Sequence, residues 1–506
     1  MKGKIREPRA KLSRILRKEI EELKTENPDN LSAIKGGVSS ASGHSKAFYE
    51  AAAAALNQQA EHYENAVQAL EQGPVMPGAS RREMAYLEAE WSGDATNAYI
   101  NAARDLDLAG DINGEALAYS NAAGAATQFQ AQQAAGLYES SGEAYASINE
   151  HQRSAAAYEN AAGLNLQSGI QLNAAGDYAN AGTQYQDLNN TANASTAFNT
   201  AAGIYANEAA GSLSAGHLNS AKEEYLDAYH CYNGAGNAEA LPAVEKSLAN
   251  IYEELASTNS NQSDALHDYL EAAKFFAKIS DSSDAQNAEK QAATLYNSLA
   301  KSAANAGDYT NASSDYENAA EIFQKLGDLV DAGHNYYRAG VNYGYAGQTQ
   351  ESNTAYNNAG QIYENLANST NDTNEQLKYY HDAIVNYQHS GNSSELVSAY
   401  SAVASDYNSL AAAEETLANN NESNSDWKIA AEDRMAEAGA YMDAGKYSSD
   451  DSNKAEYYNE AANTYGTEGG NGTAQTDYLN ANDQNGAGKA QAMGIKAENE
   501  AEKYQG

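Results

Sequence analysis

Cysteine is all but missing from this sequence. Cys231 is the single example, which excludes an intrachain disulfide and any paired-cysteine metal site. Proline is scarce as well: of five, only Pro242 lies inside the repetitive part, so long helices meet few breakers. No apolar run reaches the roughly eighteen residues a membrane-spanning helix needs. The basic N-terminus has no apolar core of the kind a secretory signal carries, so a cytoplasmic location is the expectation. Positive charge is the next shortage. Thirty-one Lys and Arg face 69 Asp and Glu, a net charge of -38. Such a surface repels nucleic acid and anionic membranes, so neither is expected as a partner of the bulk of the chain.

The chemistry-bearing motifs are missing too. There is no His-Glu-x-x-His, no Gly-rich loop ending in Gly-Lys-Ser/Thr and no calcium-loop order of oxygens. Asp264 and His267, and Asp331 and His334, stand one helical turn apart, but a carboxylate-bridged metal bundle would need such pairs on several facing helices. They read as incidental surface pairs. His230-Cys231 is no catalytic arrangement without further partners. No catalytic residue, cofactor site or metal site is expected, and the chain does not read as an enzyme.

Tyrosine and alanine fill the gap left by other apolar residues. There are 37 tyrosines against six phenylalanines and two tryptophans. A core of Ala and Tyr buries less aliphatic surface than one of Leu and Ile. Excluded salts strengthen apolar burial, so weak core residues under an acidic, Lys-poor surface fit a halophilic cell interior. A repeat family with an Ala/Tyr consensus would explain the same composition.

These residues recur with a period. Gly307, Gly327 and Gly347 are twenty apart, and Ala312, Ala332 and Ser352 follow five later. Tyr316, Tyr336 and Tyr356 come next, then Ala319-Ala320, Ala339-Gly340 and Ala359-Gly360, and Phe323, Tyr343 and Tyr363 close each row. Counted from Ala312, the offsets 0, 4, 7, 8 and 11 mark one face of an α-helix. Gly307-Asp308 and Gly327-Asp328 offer a left-handed helix end followed by an N-cap acceptor. Each row is thus one helix and a tight turn, and two rows make a helical hairpin of about forty residues. The small pairs are expected to let helix backbones approach, with tyrosines filling the space around them.

The rest of the chain falls around this stretch. Residues 1–24 carry nine Lys/Arg against four Glu, with Leu12, Leu16, Ile20 and Leu23 at helical spacing. This basic amphipathic segment presents Arg6, Arg9, Lys11, Arg14, Arg17 and Lys18 as candidate partner-docking residues. It can fold back on the chain's own acidic surface, dock to a partner, contact an anionic membrane or stay solvated. A linker reaches to residue 42. A helix from about Ser45 to Leu70 stops at Gly73-Pro-Val-Met-Pro-Gly78, a contact tip or a loop that packs its own Val and Met. Repeats begin near Trp91. NSTNDTN from Asn368 and NNNESNSD from Asn419 read as polar breaks, and the repeats loosen toward the C-terminus. Three regions result: residues 1–42, a regular array over 43–367, and looser repeats with a cap over 368–506.

The row Gly-Asp-x-x-x-Ala-x-x-x-Tyr-x-x-Ala-Ala, as it stands from Gly307, resembles tetratricopeptide repeats. Its longer hairpin is closer to the variant in soluble NSF attachment proteins, over about Trp91 to Tyr407. The resemblance implies an all-α solenoid of antiparallel hairpins. It also implies a membrane-contacting loop, for which Gly73–Gly78 would stand. Three functional readings follow: a non-catalytic scaffold or adaptor that binds other proteins, a self-assembling structural protein, or a membrane-recruited adaptor using the N-terminal segment.

Overall fold

The structure, a computed structural model, describes residues 46–72, 81–126, 130–421, 424–466 and 472–505. The basic N-terminal residues and the Gly73–Gly78 loop lie outside them. The described residues form twenty α-helices and no strand. Two compact units divide at Ile251/Tyr252. The first holds α1 (Lys46–Gln72), α2 (Arg81–Ala109), α3 (Ile112–Ala126), α4 (Ala131–Ser147), α5 (His151–Gln167), α6 (Gln171–Asp187), α7 (Thr191–Ser214) and α8 (Leu218–Ala235). The division falls inside α9 (Leu241–Thr258), whose Pro242 sits in the first turn, where a helix tolerates proline. The second unit holds α10 (Gln262–Lys278), α11 (Ser282–Asn305), α12 (Tyr309–Leu326), α13 (Leu329–Tyr345), α14 (Thr349–Ser369), α15 (Thr373–Ser390), α16 (Ser393–Asn421), α17 (Asn424–Tyr447), α18 (Asp451–Tyr465), α19 (Thr473–Asn480) and α20 (Gln484–Glu502). Within each unit a helix packs chiefly on its sequence neighbours, as in a helical-repeat array.

One turn geometry joins most of the helices. Gly307, Gly327 and Gly347 have φ of +80°, +80° and +76°. The amide three positions past the helix returns to a carbonyl five residues back, as from Asp308 N to Ala303 O at 2.9 Å and Gln348 N to Tyr343 O at 2.9 Å. This is the Schellman closure. The first unit repeats the period of twenty with different residues: Asn149, Gly169 and Asn189 have φ of +61°, +75° and +55°. Asn accepts the left-handed conformation better than other non-glycine residues.

The capping expectation holds at one turn and fails at the next. Asp308 accepts a hydrogen bond from Asn311 N at 3.2 Å, but Asp328 makes no side-chain cap. Its carboxylate stands 3.9 Å from Lys290 Nζ instead. The break expected at Asn419–Asp426 is also narrower than its polarity suggests, since α16 continues to Asn421 and α17 begins at Asn424.

The small pairs have a more specific role than backbone approach. In Ala339-Gly340 the glycine seats a ring of the next helix: a Cβ added at Gly340 would lie 3.0 Å from Tyr356. At Gly360 it would lie 2.6 Å from Tyr387, a side chain with no exposed surface. The Gly340 carbonyl also accepts from Ser352 Oγ at 2.7 Å. The first unit builds the same module from Gly142, Ser154 and Tyr158, with a ring contact of 3.0 Å and a hydroxyl bond of 2.7 Å. Glycine, serine and tyrosine are spaced 12 and 4 apart in both.

Candidate docking surface

The expected docking residues Arg6, Arg9, Lys11, Arg14, Arg17 and Lys18 lie outside the described residues. The Asp-x-x-His pairs are not assembled with further ligands, and no group of three or more metal-ligating side chains occurs among the described residues. Cys231 is buried, and burial first, then Asp227, pushes its thiol up to about 12. It is therefore a protonated core residue at neutral pH. No helix among the described residues is long and apolar enough to cross a membrane.

The candidate surface comes from tyrosines that fall off the repeat positions. Among the described residues of the second unit, six large apolar side chains are exposed: Val330, Tyr337, Tyr345, Val385, Ile429 and Met493. Four of them lie on α13 and α15. Tyr345 is 69% exposed and Tyr337 37%. Tyr345 pairs with Tyr309 of α12 at 5.1 Å between ring centroids. Tyr337 meets the buried Tyr356 of α14 edge-on at 5.8 Å. The exposed His389, in the last turn of α15, stacks on Tyr356 at 4.7 Å. Burial first, then the Tyr337 and Tyr345 hydroxyls, raises the Tyr356 pKa. Five rings from four consecutive helices thus gather into one platform, seated on Gly340.

Farther along α13 the surface changes character. His334 meets Tyr363 at 6.1 Å, and the Arg338 guanidinium lies 5.7 Å from the Tyr316 ring. Burial raises the Asp382 carboxyl of α15, against the lowering pull of Lys378, His334 and His381. Burial first, then Asp382, raises the Tyr363 hydroxyl. On α13 and α15 together, Asp331, Glu375 and Asp382 face Arg338 and Lys378, a net charge of -1. Three of the chain's nine histidines, His334, His381 and His389, stand there. These two helices are close to neutral on a chain at -38.

Beside the platform is an open depression of about 500 Å³, lined by Thr349, Gln350, Asn353, Thr354, Asn357, Ser390 and Asn392. None of these side chains carries charge. Asn392 Nδ2 donates to Asn357 Oδ1 at 2.6 Å, which ties the end of α15 to α14. Amide and hydroxyl groups offer both donors and acceptors, so this floor can pair with the main chain of a bound segment.

A second polar concentration is buried. Arg434 of α17 donates from Nε and Nη2 to Glu415 Oε1 of α16 at 3.0 and 2.9 Å, and from Nη1 to Glu437 Oε2 at 2.9 Å and to Asn408. Burial first, then Glu415, pushes the Asp477 carboxyl of α19 up to about 7. One guanidinium thus bonds carboxylates from two helices, and its charge acts on the Asp477 carboxyl of a third, lowering it against burial and Glu415. Its burial makes it a structural tie between α16 and α17.

No protein-family model matches the chain, and no curated protein is detectably similar to it. Solved structures similar to it include BtubC (BKLC) from P. vanneervenii, at 16% identity and TM-score 0.16, covering 63% of this chain and 94% of that one. A circular tandem repeat protein with novel repeat topology matches at 12% identity and TM-score 0.20, covering 90% and 98%. The TPR domain of P58(IPK) matches at 12% identity and TM-score 0.18, covering 81% and 99%. At TM-scores this low the superpositions carry no argument. The chain's own helices, turns and twelve-and-four spacing make each unit an array of helical hairpins.

Proposed function

We propose that the chain is a non-catalytic, cytoplasmic scaffold that binds an extended segment of a protein partner on the α12–α15 face. The observation that carries this reading is the five-ring platform beside an uncharged amide and hydroxyl floor. Exposed aromatic groups are costly to leave in water and are the commonest anchors of protein interfaces. The near-neutral charge of α13 and α15 lessens the repulsion that an acidic partner would meet, although α12 and α14 add Asp315, Glu317, Glu321, Glu351 and Glu364 against Lys325. Because the rings are held by a packed core, the site is preformed, and little ordering cost is incurred on binding. In this reading the docking face joins the end of the 43–367 array to the first helix of 368–506, the rest of 368–506 extends and caps the array, and 1–42 form a region of their own.

Selection of peptides from a displayed random library on the full chain tests the proposal. Tyr337→Ser with Tyr345→Ser should weaken the selected peptides by roughly thirtyfold or more, the loss expected for aromatic anchors. Leu188→Ser, a control in the first unit, should leave affinity unchanged. Equal affinity of wild type and the double variant would place binding elsewhere and sink the assignment of this face.

A further inference from the structure

The end of the first unit where α1 begins has exposed aliphatic side chains that the scaffold reading leaves unused. Leu108, in the last turn of α2, is 50% exposed, and Ile112, the first residue of α3, is 36% exposed. Gly110, at φ +72°, makes the turn between them. Four carboxylates, Asp105, Asp107, Asp111 and Glu115, stand on the same two helix ends, with Arg104 and Arg153, which donates to Asn113 Oδ1 at 3.1 Å, as neighbouring cations. Asp107 adds to burial in raising the Glu115 carboxyl, so these anions crowd one another.

The path of the chain leads to this end. Ala53 and Leu56 of α1 share a core with Ala102, Ala103 and Leu106 of α2 and Ala118 of α3. Farther along, Tyr99 Oη donates to Glu64 Oε2 at 3.1 Å. Residue 64 lies opposite 99 and residue 56 opposite 106, an antiparallel register. The first turn of α1, Lys46–Glu50, therefore stands where α2 gives way to α3. The chain that precedes Lys46 departs beside Leu108 and Ile112.

We propose that residues 1–24 dock on this acidic, aliphatic end of their own chain. Their nine Lys/Arg against four Glu complement Asp105, Asp107, Asp111 and Glu115. Leu12, Leu16, Ile20 and Leu23 supply apolar groups at a spacing suited to Leu108 and Ile112. Acidic surface is general on this chain; exposed aliphatic groups at the point of departure single this end out. Residues 25–45 connect the two, and their Gly, Ser and Pro content is that of a linker. A connection of this length has an end-to-end distance of roughly 25 Å, so the segment stays at an effective concentration in the millimolar range. Docking is electrostatic in part and weakens with salt. It would give the basic residues an occupant in cis, so that a partner or a membrane must compete for them.

Hydrogen exchange by mass spectrometry on the full-length chain at low salt is the test. Two full-length variants are compared with wild type: Arg6→Glu with Arg9→Glu, Arg14→Glu and Arg17→Glu, and Leu108→Ser with Ile112→Ser. The first should speed exchange over 104–119, and the second over 1–24, each by about tenfold. Exchange elsewhere should be unchanged, which shows that both variants are folded. Molar salt should reproduce the release in wild type. No change in either segment would overturn the proposal, as would protection by residues 1–24 of a different surface. Protection that falls on dilution would mean that the segment crosses to a second copy, and would overturn docking in cis.

Discussion

The same packing module serves the two units and is put to different uses. Gly142, Ser154 and Tyr158 in the first, and Gly340, Ser352 and Tyr356 in the second, share a spacing, a ring seated on glycine at 3.0 Å and a serine bond of 2.7 Å. What lies above the ring differs. Tyr158 looks toward carboxylates: burial first, then Glu143, Asp177 and Glu139, pushes its hydroxyl up to about 12. Tyr356 is covered by Tyr337 and His389. The module fixes the hairpin and leaves the covering positions free. Function is therefore to be sought in the cover and not in the repeated residues.

The comparison can be broken or sharpened unit by unit, because each unit has one tryptophan, Trp91 in α2 and Trp427 in α17. Denaturant unfolding of Trp91→Phe and Trp427→Phe backgrounds reads the units separately. The largest effect is expected at Gly360, whose ring seat is tighter than those of Gly142 and Gly340. Gly360→Ala should cost about 1–3 kcal/mol through overpacking against Tyr387. Gly142→Ala and Gly340→Ala should each cost about 1 kcal/mol, because the gain in helix propensity offsets part of the clash. Unequal losses at these two sites would show that the modules are not equivalent.

Next comes Asp177, which sits near the first module and has no counterpart in the second. It is buried, it accepts from Asn165 Nδ2 at 2.8 Å, and burial pushes its carboxyl up to about 7. The folded state therefore binds a proton that the unfolded state has released. Stability from this group is fully present below about pH 4 and is lost as pH rises through about 7. Asp177→Asn should stabilise the first unit at pH 8, on the order of 1–2 kcal/mol, and leave it unchanged near pH 4. A gain that does not vary with pH would refute the protonation account.

Removing the serine bond should matter less. Ser154→Ala and Ser352→Ala should each cost about 1 kcal/mol, the net worth of a buried hydrogen bond. The smallest effect belongs to the cover itself. Tyr345→Ser should change stability by less than about 0.5 kcal/mol, as expected of an exposed side chain, while weakening the peptide binding proposed above. A large loss of stability would make the platform part of the core instead of a docking face.

The helical hairpins were legible from the row of glycines at 307, 327 and 347, because glycine marks a left-handed turn without ambiguity. The equivalent turns at Asn149 and Asn189 were not, since asparagine is common throughout this chain and most of its copies lie within helices. The ring seats hid behind the small pairs: alanine and glycine both look like spacers, and only the next helix shows which one carries a ring. The docking surface had one signal in the sequence. Tyr337 and Tyr345 fall outside the repeated tyrosine positions, and an aromatic residue without a place in the core is a candidate for the surface. Its assembly with His389 and Tyr309 depends on three-dimensional neighbours that no spacing rule supplies. The Arg434 cluster was equally hidden, because its members come from three helices about seventy residues apart at the extremes.

Packing chiefly between consecutive helices has a consequence for how the chain is made. A ribosome delivers helices in order, so each new one finds its main surface already waiting, and contacts of low sequence separation form quickly. The exception is the last part of the second unit, where α19 packs on α17 and α20 on α18. There Arg434 and Glu415 are synthesised well before Asp477, and the buried cluster is completed only when α19 has emerged. During that interval α17 exposes a face that its final neighbours later cover, which makes this the stretch of a nascent chain most in need of protection from aggregation.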